Sequence, residues 1–263
     1  MRLPRCVSAA SALVLTAALA LTGAGPAQAS GPVYVALGDS YASGVGSGRY
    51  DDSSGGCYRS SRAYPRLWAK AHTPSGFSFP ACSGATTVDV INRQLGALND
   101  ATTLVSVTVG GNDAGFVDVM TTCLLTTSSA CLNRIDRARD YIANRLPDRL
   151  DTVYEAIGAR APAARVVVVG YPRFYRIGTS CIGLTTAKRR AINDAADLLD
   201  TVTAKRAADH GFAFADVRGA FTGHELCAGT AWLHSLTIPV HESYHPTASG
   251  QSGGYLPVFS AAA

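Results

Sequence analysis

The sequence predicts an α/β fold built around a parallel sheet that helices cover on both faces. Five short apolar runs are rich in Val and Phe and mostly continuous rather than alternating, which is typical of strands buried on both faces. Helical stretches separate these runs, and this alternation favours a parallel sheet with crossover helices. The predicted strands span residues 33–37, 77–81, 104–109, 165–169 and 212–217.

Four segments have the composition or periodicity of helices. In the last of them, Ile192, Ala196 and Leu199 recur at helix spacing and indicate a buried face. No internal repeat, linker or low-complexity tract divides the chain after residue 29, so we expect one domain over residues 30–263. The predicted helices span residues 64–72, 114–125, 132–157 and 186–209.

The first 29 residues are predicted to be a cleaved secretory signal peptide. Arg2 and Arg5 form a positive start, an apolar stretch follows over residues 7–21, and Ala27-Gln28-Ala29 is a small-residue cleavage site. The alternative is an uncleaved membrane anchor, which needs roughly 20 apolar residues. A break at residues 22–26 argues against that anchor. We therefore expect a secreted protein with no stable membrane insertion.

The charge balance of the mature chain is close to neutral. Removing 29 of 263 residues leaves 234, and the loss of Arg2 and Arg5 lowers the formal net charge from +4 to +2. This length suits one sizeable domain with its own core. A charge this small gives no electrostatic case for binding nucleic acid or an anionic membrane surface.

Six of the seven cysteines remain after the signal peptide. An even number in an exported protein predicts disulfides, although spacing alone does not choose the pairing. A zinc site is the competing interpretation, but the chain has neither a C-x-x-C motif nor a close Cys/His cluster. We therefore predict no metal site. The six residues are Cys57, Cys82, Cys123, Cys131, Cys181 and Cys227.

Four short motifs in a fixed order carry the candidate chemistry. Gly38-Asp39-Ser40-Tyr41 follows the first strand, and Cys82-Ser83-Gly84-Ala85 follows the second. Gly110-Gly111-Asn112-Asp113 follows the third strand, while His245-Pro246 lies near the C-terminus. Because ligands of such a sheet bind outside the carboxyl ends of its strands, we expect the first three motifs to converge on one site.

Ser40 is the candidate nucleophile and His245 the candidate base. A serine hydroxyl needs a base to take its proton, and the tetrahedral oxyanion that follows needs pre-aimed hydrogen-bond donors. The candidate donors are the backbone N–H groups of Ser40 and Gly84 and the side-chain amide of Asn112. Glycine lets substrate approach the backbone closely, and the Asn amide donates without carrying charge.

This set resembles the SGNH, or GDSL, hydrolase superfamily, whose marked Ser, Gly, Asn and His fall on Ser40, Gly84, Asn112 and His245. The likeness is greatest to the secreted GDSL lipases and esterases of Streptomyces-type actinobacteria. It implies a three-layer α/β/α sandwich with a parallel flavodoxin-like sheet, the SGNH hydrolase fold. It also implies esterase or lipase activity without a metal or organic cofactor. Tyr41 stands where the usual motif has Leu, at a position expected to pack rather than react.

The same resemblance implies disulfides between cysteines that are consecutive in sequence. On this chain the pairs are Cys57–Cys82, Cys123–Cys131 and Cys181–Cys227.

Two groups compete to orient His245. Glu242 lies three residues before it, where many relatives place an acid, and we assign it as the orienting carboxylate. In some secreted actinobacterial relatives a backbone carbonyl just before the histidine does this instead, and Glu242 would then be a solvated loop residue. The other histidines are expected to be surface or capping residues: His72, His210, His224, His234 and His241.

These inferences predict a secreted serine esterase or lipase that hydrolyses carboxylic, acylglycerol-type esters through an acyl-enzyme on Ser40, with His245 as general base. We expect a monomer whose partner is an ester or lipid substrate. One alternative is a carbohydrate or small-acyl deacetylase, which would share the catalytic set and differ in its pocket. Another is a non-catalytic exported binding module. Aromatic residues that could line an acyl pocket are Phe116, Phe174, Tyr175, Trp232 and Tyr244.

Overall fold

The computed structural model describes Met1 and residues 31–263. The predicted signal peptide, residues 1–29, therefore lies outside the described residues apart from Met1. In the part of the chain that the structure covers from residue 31, no helix is both long and apolar enough to cross a membrane.

The sheet has five strands, and all of its pairings are parallel. Their order is β2-β1-β3-β4-β5, which is the flavodoxin-like order. The second strand is shorter than the predicted 77–81, and Pro80 has no N–H to donate to a ladder. The strands are β1 (Val33–Gly38), β2 (Gly76–Ser78), β3 (Leu104–Thr108), β4 (Arg165–Val169) and β5 (Ala213–Ala215).

Helices connect the strands and cover the sheet. Short 3₁₀ or π turns also occur at Asp52–Cys57, Val90–Gln94, Leu95–Ala97, Val240–Glu242 and Gly250–Tyr255. The α-helices are α1 (Ser40–Ser43), α2 (Tyr64–His72), α3 (Thr87–Asp89), α4 (Phe116–Leu125), α5 (Ser128–Asn144), α6 (Leu146–Arg160), α7 (Thr186–Asp209) and α8 (Leu256–Ala262).

The long helix predicted over residues 132–157 is two helices. Helix α5 ends at Asn144, and α6 begins at Leu146 with Pro147 in its first turn. A proline interrupts a helix interior because it has no N–H and its ring clashes with the preceding turn, whereas the first turn tolerates it. The prediction was therefore wrong about continuity and right about the helical state.

The helices form layers on the two faces of the sheet, as the predicted sandwich requires. On one face, the fully buried ring of Tyr34 on β1 packs 5.1 Å from Trp68 of α2 and 5.5 Å from Phe259 of α8. Helix α7 packs on β4 and β5 and, with α4, α5 and α6, builds the other layer. Fully burying one such apolar side chain contributes about 1.5–3 kcal/mol.

The structure contains the three disulfides that the resemblance implied. Cys57–Cys82 joins the loop after α1 to the loop after β2. Cys123–Cys131 joins α4 to α5, and Cys181–Cys227 joins the loops that flank α7 and β5.

Candidate active site

Ser40 begins helix α1 directly after β1. Gly38 ends the strand with a φ of 128°, and a Cβ at this position would collide with the backbone of Thr108 on β3. Glycine is therefore what lets the chain turn at this edge. The Asp39 carboxylate caps α1 by accepting the N–H of Tyr41 at 2.9 Å. These contacts place Ser40 at the carboxyl edge of the sheet.

Ser40 and His245 are hydrogen-bonded, with 2.8 Å between the serine Oγ and the histidine Nε2. The other ring nitrogen, Nδ1, lies 3.0 Å from the carbonyl oxygen of Ser243. Because a carbonyl oxygen only accepts, Nδ1 carries the proton and Nε2 offers its lone pair to the hydroxyl. This is the geometry that a general base needs.

Burial lowers the pKa of His245 from 6.5 to about 4. The hydrogen bond to the Ser243 carbonyl acts in the opposite direction, and the nearby His241 and His234 add to the lowering. The imidazole is therefore neutral near pH 7 and ready to accept a proton.

The assignment of Glu242 as the orienting acid was wrong. Its carboxylate accepts the hydroxyl of Tyr50 at 2.5 Å, and the Ser243 carbonyl occupies the place at Nδ1 of His245. Glu242 ends a 3₁₀ turn, and the chain then bends so that the main chain faces the ring. The Tyr50 hydroxyl also accepts the N–H of Gly46 at 2.9 Å, so Glu242 fastens the loop after α1 to the segment before His245.

The three predicted oxyanion donors meet at one groove. Ser40, Gly84 and Asn112 all line it, together with His245. Gly84 has a φ of 77°, which favours glycine, and no atom lies within 4 Å of where its Cβ would be. Within residues 31–263, the backbone N–H groups of Ser40 and Gly84 donate to no protein acceptor. Both are therefore available to an oxyanion.

The loops that carry Gly84 and Asn112 are tied to each other. The Asn112 amide donates one hydrogen bond to the Ala85 carbonyl at 3.0 Å, which leaves its second N–H for substrate. The Asp113 carboxylate accepts the N–H and the hydroxyl of Thr87 at 3.0 and 2.6 Å. These bonds fix the spacing of the two donors.

An apolar cavity of about 70 Å³ lies behind Ser40, beneath α4. A wider groove of about 550 Å³ lies between α4 and residues 236–245 and contains Ser40 and His245. Phe116 and Phe174 line the cavity, as predicted, and Tyr244 lines the groove, whereas Tyr175 and Trp232 line neither. Other apolar side chains that line the cavity include Val119, Met120, Ala138, Ile142, Ile192 and Leu199.

Sequence reasoning missed a network of tyrosine hydrogen bonds beneath Ser40, the candidate nucleophile. The Tyr171 hydroxyl donates to the Asp39 carboxylate at 2.5 Å, and burial raises the pKa of Asp39 to about 7. The Tyr41 hydroxyl donates to the Tyr244 carbonyl, next to His245. The sequence signal that could have indicated this network is Tyr41, which stands where the usual motif has Leu.

The remaining histidines have local partners. His234 contacts the Gly46 carbonyl, and His241 stacks on Tyr58 at the wall of the groove. His72, His210 and His224 contact Trp68, Asp151 and Thr230 respectively, and none of them lines the groove. In Met1 and residues 31–263, no three His, Cys, Asp or Glu side chains are grouped as metal ligands.

The chain also contains a Gly-x-Ser-x-Gly pattern at residues 250–254. In α/β-hydrolases that pattern forms a strand-to-helix turn with the nucleophile at its tip. Here Ser252 is exposed and lies in the Gly250–Tyr255 segment, which leads into α8 and follows no strand. It lies outside the groove that holds His245, so it does not compete with Ser40.

Comparison with known proteins identifies relatives along the whole chain. The sequence model of the GDSL-like Lipase/Acylhydrolase family matches residues 36–252. The chain is 61% identical to a lipase of Streptomyces rimosus and 60% identical to Lipase 1 of Streptomyces coelicolor, each over 100% of both chains.

Solved structures agree with this relationship. The chain is similar to the extracellular lipase of Streptomyces rimosus, with 63% identity, a TM-score of 0.87 and coverage of 88% of this chain and 100% of that one. It is also similar to phospholipase A1 from Streptomyces albidoflavus, with 57% identity, a TM-score of 0.88 and coverage of 89% and 100%. The chain belongs to the GDSL-like lipase/acylhydrolase family and is a carboxylic ester hydrolase.

Proposed function

We propose that this enzyme is a secreted lipase in which Ser40 attacks carboxylic esters of fatty acids and His245 acts as general base. The single observation that carries the proposal is the 2.8 Å hydrogen bond from Ser40 Oγ to His245 Nε2, inside a groove that also holds Gly84 and Asn112. No charged third residue takes part, because the Ser243 carbonyl orients the ring.

The reaction follows from these positions. Nε2 takes the Ser40 proton as Oγ bonds to the ester carbon, and the carbonyl electron pair moves onto oxygen. The N–H groups of Ser40 and Gly84 and the Asn112 amide bind that oxyanion. Collapse breaks the ester C–O bond, His245 returns the proton to the leaving alcohol, and the acyl group stays on Ser40. Water then repeats the sequence and releases the fatty acid.

The positive charge of protonated His245 is stabilised mainly in the transition state. The pKa of the resting His245 is about 4 because burial disfavours the charged form. In the transition state an oxyanion forms a few ångströms away, and its negative charge offsets the positive ring. The site thus favours the charged pair over either charge alone, which is selective stabilisation of the transition state.

The cavity behind Ser40 favours a fatty acyl chain. Its walls are almost entirely apolar, and it joins the groove at Ser40, Asn112, Phe116 and Met120, which line both. A carbohydrate deacetylase needs polar groups for sugar hydroxyls, and these walls supply few. Low-identity structural matches such as the acetyl-xylooligosaccharide esterase from Geobacillus, at 16% identity, support the fold alone.

Hydrolysis of p-nitrophenyl esters from acetyl to palmitoyl tests the proposal. We expect kcat/KM to rise from acetyl to medium and long chains, and Ser40→Ala to abolish hydrolysis without loss of fold. Ser61→Ala, an exposed serine in the loop after α1, is the matched control and should retain activity. A maximum at acetyl would support the deacetylase, and an active Ser40→Ala variant would remove the nucleophile assignment.

A second candidate substrate is a phospholipid, which a separate pocket favours. This pocket of about 560 Å³ lies beside Gly84 and is lined by Arg59, Arg93 and Asp89, and the Asp89 carboxylate pairs with Arg93 at 3.7 Å. Among residues 31–263, the Arg59 guanidinium donates only to the Ala81 carbonyl, at 3.4 Å, so we infer that its charge is available to a phosphate. The S. albidoflavus relative of known structure is a phospholipase A1.

The phospholipid candidate predicts charge-dependent specificity. Arg59→Gln should lower kcat/KM about tenfold for a monoacylglycerol phosphate and leave the matching monoacylglycerol unchanged. Arg66→Gln is the control, because Arg66 lies near Arg59 but outside this pocket. Equal losses on both substrates, or from both variants, would contradict a phosphate site. We also propose that the enzyme acts as a monomer, which light scattering would measure.

A further inference from the structure

Five large apolar side chains stand exposed around the opening of the catalytic groove. Val117 and Leu125 of α4 are 67% and 79% exposed. Leu236, Ile238 and Val240, in the segment before His245, are 59%, 91% and 69% exposed. These five residues form the apolar rim. All of them except Ile238 also line the groove.

The exposed large apolar side chains of this protein are concentrated at the apolar rim and are not scattered over the surface. In Met1 and residues 31–263, the other exposed large apolar side chains are Met1, Val88 and Ile182, and Val88 is less exposed than any of the five. Single exposed apolar residues are ordinary, whereas a contiguous group marks a surface that another apolar surface covers. The group lies on both sides of one opening, so whatever covers it also covers the entrance to Ser40.

The lack of charged residues along the groove indicates what kind of surface binds the apolar rim. None of the residues that line the groove is Asp, Glu, Lys or Arg. Of the nearest carboxylates on the two walls, Asp118 is paired with Arg134, and Glu242 is bound to Tyr50. An uncharged rim is complementary to an uncharged or zwitterionic apolar surface. It offers no partner for a polyanion or for the charged edge of a protein interface.

The apolar rim is continuous with the catalytic groove, and this favours a lipid surface over a protein as its binding partner. The floor of the groove holds Ser40, the oxyanion donors and His245. A protein seated on the rim would close the entrance, whereas a lipid surface seated there would supply ester bonds to it. We propose that the apolar rim docks this enzyme on the surface of aggregated neutral or zwitterionic lipid, with side chains of both walls inserted among the acyl chains. The proposal rests on the lipase function proposed above.

Binding is measured first, without hydrolysis. Vesicles of diether phosphatidylcholine contain no carboxylic ester bond for the enzyme to hydrolyse, so co-sedimentation with them reports docking alone. We expect Ile238→Asp to lower the partition coefficient by about tenfold or more, because burial of one such side chain is worth at least that factor. Ile238→Leu should restore binding. Binding should also persist in high salt, since no charge pairing is involved.

Ala163→Asp is the matched control. Ala163 is exposed and lies just before β4, at the amino edge of the sheet, whereas Ser40 lies at the carboxyl edge. The Ala163→Asp substitution adds the same negative charge far from the apolar rim, so this variant should bind vesicles as the wild type does. Thermal unfolding of both variants checks that each is folded. A second rim variant, Val240→Asp, repeats the binding test at another position on the same wall.

Activity on two forms of substrate separates this proposal from the lipase function. With dissolved p-nitrophenyl butyrate, Ile238→Asp should match the wild type within about twofold, because Ile238 does not line the groove. With emulsified triacylglycerol it should lose about tenfold or more in rate. A wild type inactive on both substrates would refute the lipase function itself.

Three results would overturn the docking surface while leaving that function intact. They are wild-type protein that does not bind the diether vesicles, rim variants that bind as well as the wild type, and equal loss in Ala163→Asp. Binding that needs anionic phosphatidylglycerol and disappears in high salt would also overturn it and would assign docking to the arginines beside Gly84, Arg59 and Arg93.

Discussion

The hydroxyl of Tyr41 donates a hydrogen bond to the carbonyl of Tyr244 at 2.6 Å and thereby joins the residue after Ser40, the proposed nucleophile, to the residue before His245, the proposed base. Tyr244 has a φ of 64°, in the left-handed region that non-glycine residues rarely adopt. This unusual backbone turn directs the Ser243 carbonyl toward Nδ1 of His245. Tyr41 is therefore a positioning residue, although the sequence indicated only packing at this site.

Tyr41→Phe should lower kcat by about threefold to tenfold and leave KM unchanged, because it removes the hydrogen bond and keeps the ring. Loss of one buried hydrogen bond should also lower the free energy of unfolding by about 1–3 kcal/mol. Steady-state kinetics and denaturant unfolding measure both. An unchanged kcat with reduced stability would mean that the Tyr41 hydroxyl only supports the fold.

Glu242→Gln should lower kcat by less than about tenfold, because the Ser243 carbonyl orients His245 and the Gln amide oxygen still accepts from Tyr50. Single-substitution kinetics on a dissolved ester test this. His245→Ala provides the reference for loss of the base. A fall of about 10⁴ in the kcat of the Glu242→Gln variant would restore Glu242 as the acid that orients His245.

Asn112→Ala should lower kcat by about 10²–10³ with little change in KM, which is the usual effect of losing one oxyanion donor. Asn99→Ala, an exposed residue before β3, is the control and should behave as the wild type does. If KM rises and kcat is preserved, Asn112 binds the ground-state substrate instead.

Activity should persist to unusually low pH. Catalysis needs neutral His245, and burial lowers its pKa from 6.5 to about 4, so kcat/KM falls only as the pH approaches 4. The folded-state pKa lies below the unfolded value, so the stability contributed by neutral His245 is present above pH 6.5 and declines toward pH 4. A pH profile on a dissolved ester, with activity rechecked at neutral pH, tests this. An acid limb centred near 6.5 would contradict it.

Replacing Cys57 and Cys82 together by Ser should reduce both stability and kcat. The disulfide closes a 25-residue separation and anchors the chain two residues before Gly84, so its loss should cost about 2–4 kcal/mol and loosen an oxyanion donor. The matched control replaces Cys181 and Cys227, which line neither the cavity nor the groove. That variant should lose stability while its kcat is preserved, and equal falls in kcat would contradict the positioning role.

The sequence was sufficient for the sheet and for the place of the candidate site residues in the fold, because those features depend on local patterns. Buried strands are continuous apolar runs, and Ser40, Gly84 and Asn112 each follow a strand at the same sheet edge. It was insufficient for the orientation of His245. Whether Glu242 or the Ser243 carbonyl faces Nδ1 depends on the dihedral angles of a loop, to which Tyr41 and Tyr50 contribute through contacts distant in sequence.

The Ser243 carbonyl that orients the base belongs to the main chain, so no change of side chain at position 243 can delete it. The Ser243 hydroxyl is engaged elsewhere, with the Thr237 backbone. An enzyme whose third member is a carboxylate is inactivated by one codon change at that acid. Under the mechanism proposed here, inactivation by that route requires a change that reshapes the loop and so moves the Ser243 carbonyl away from Nδ1 of His245.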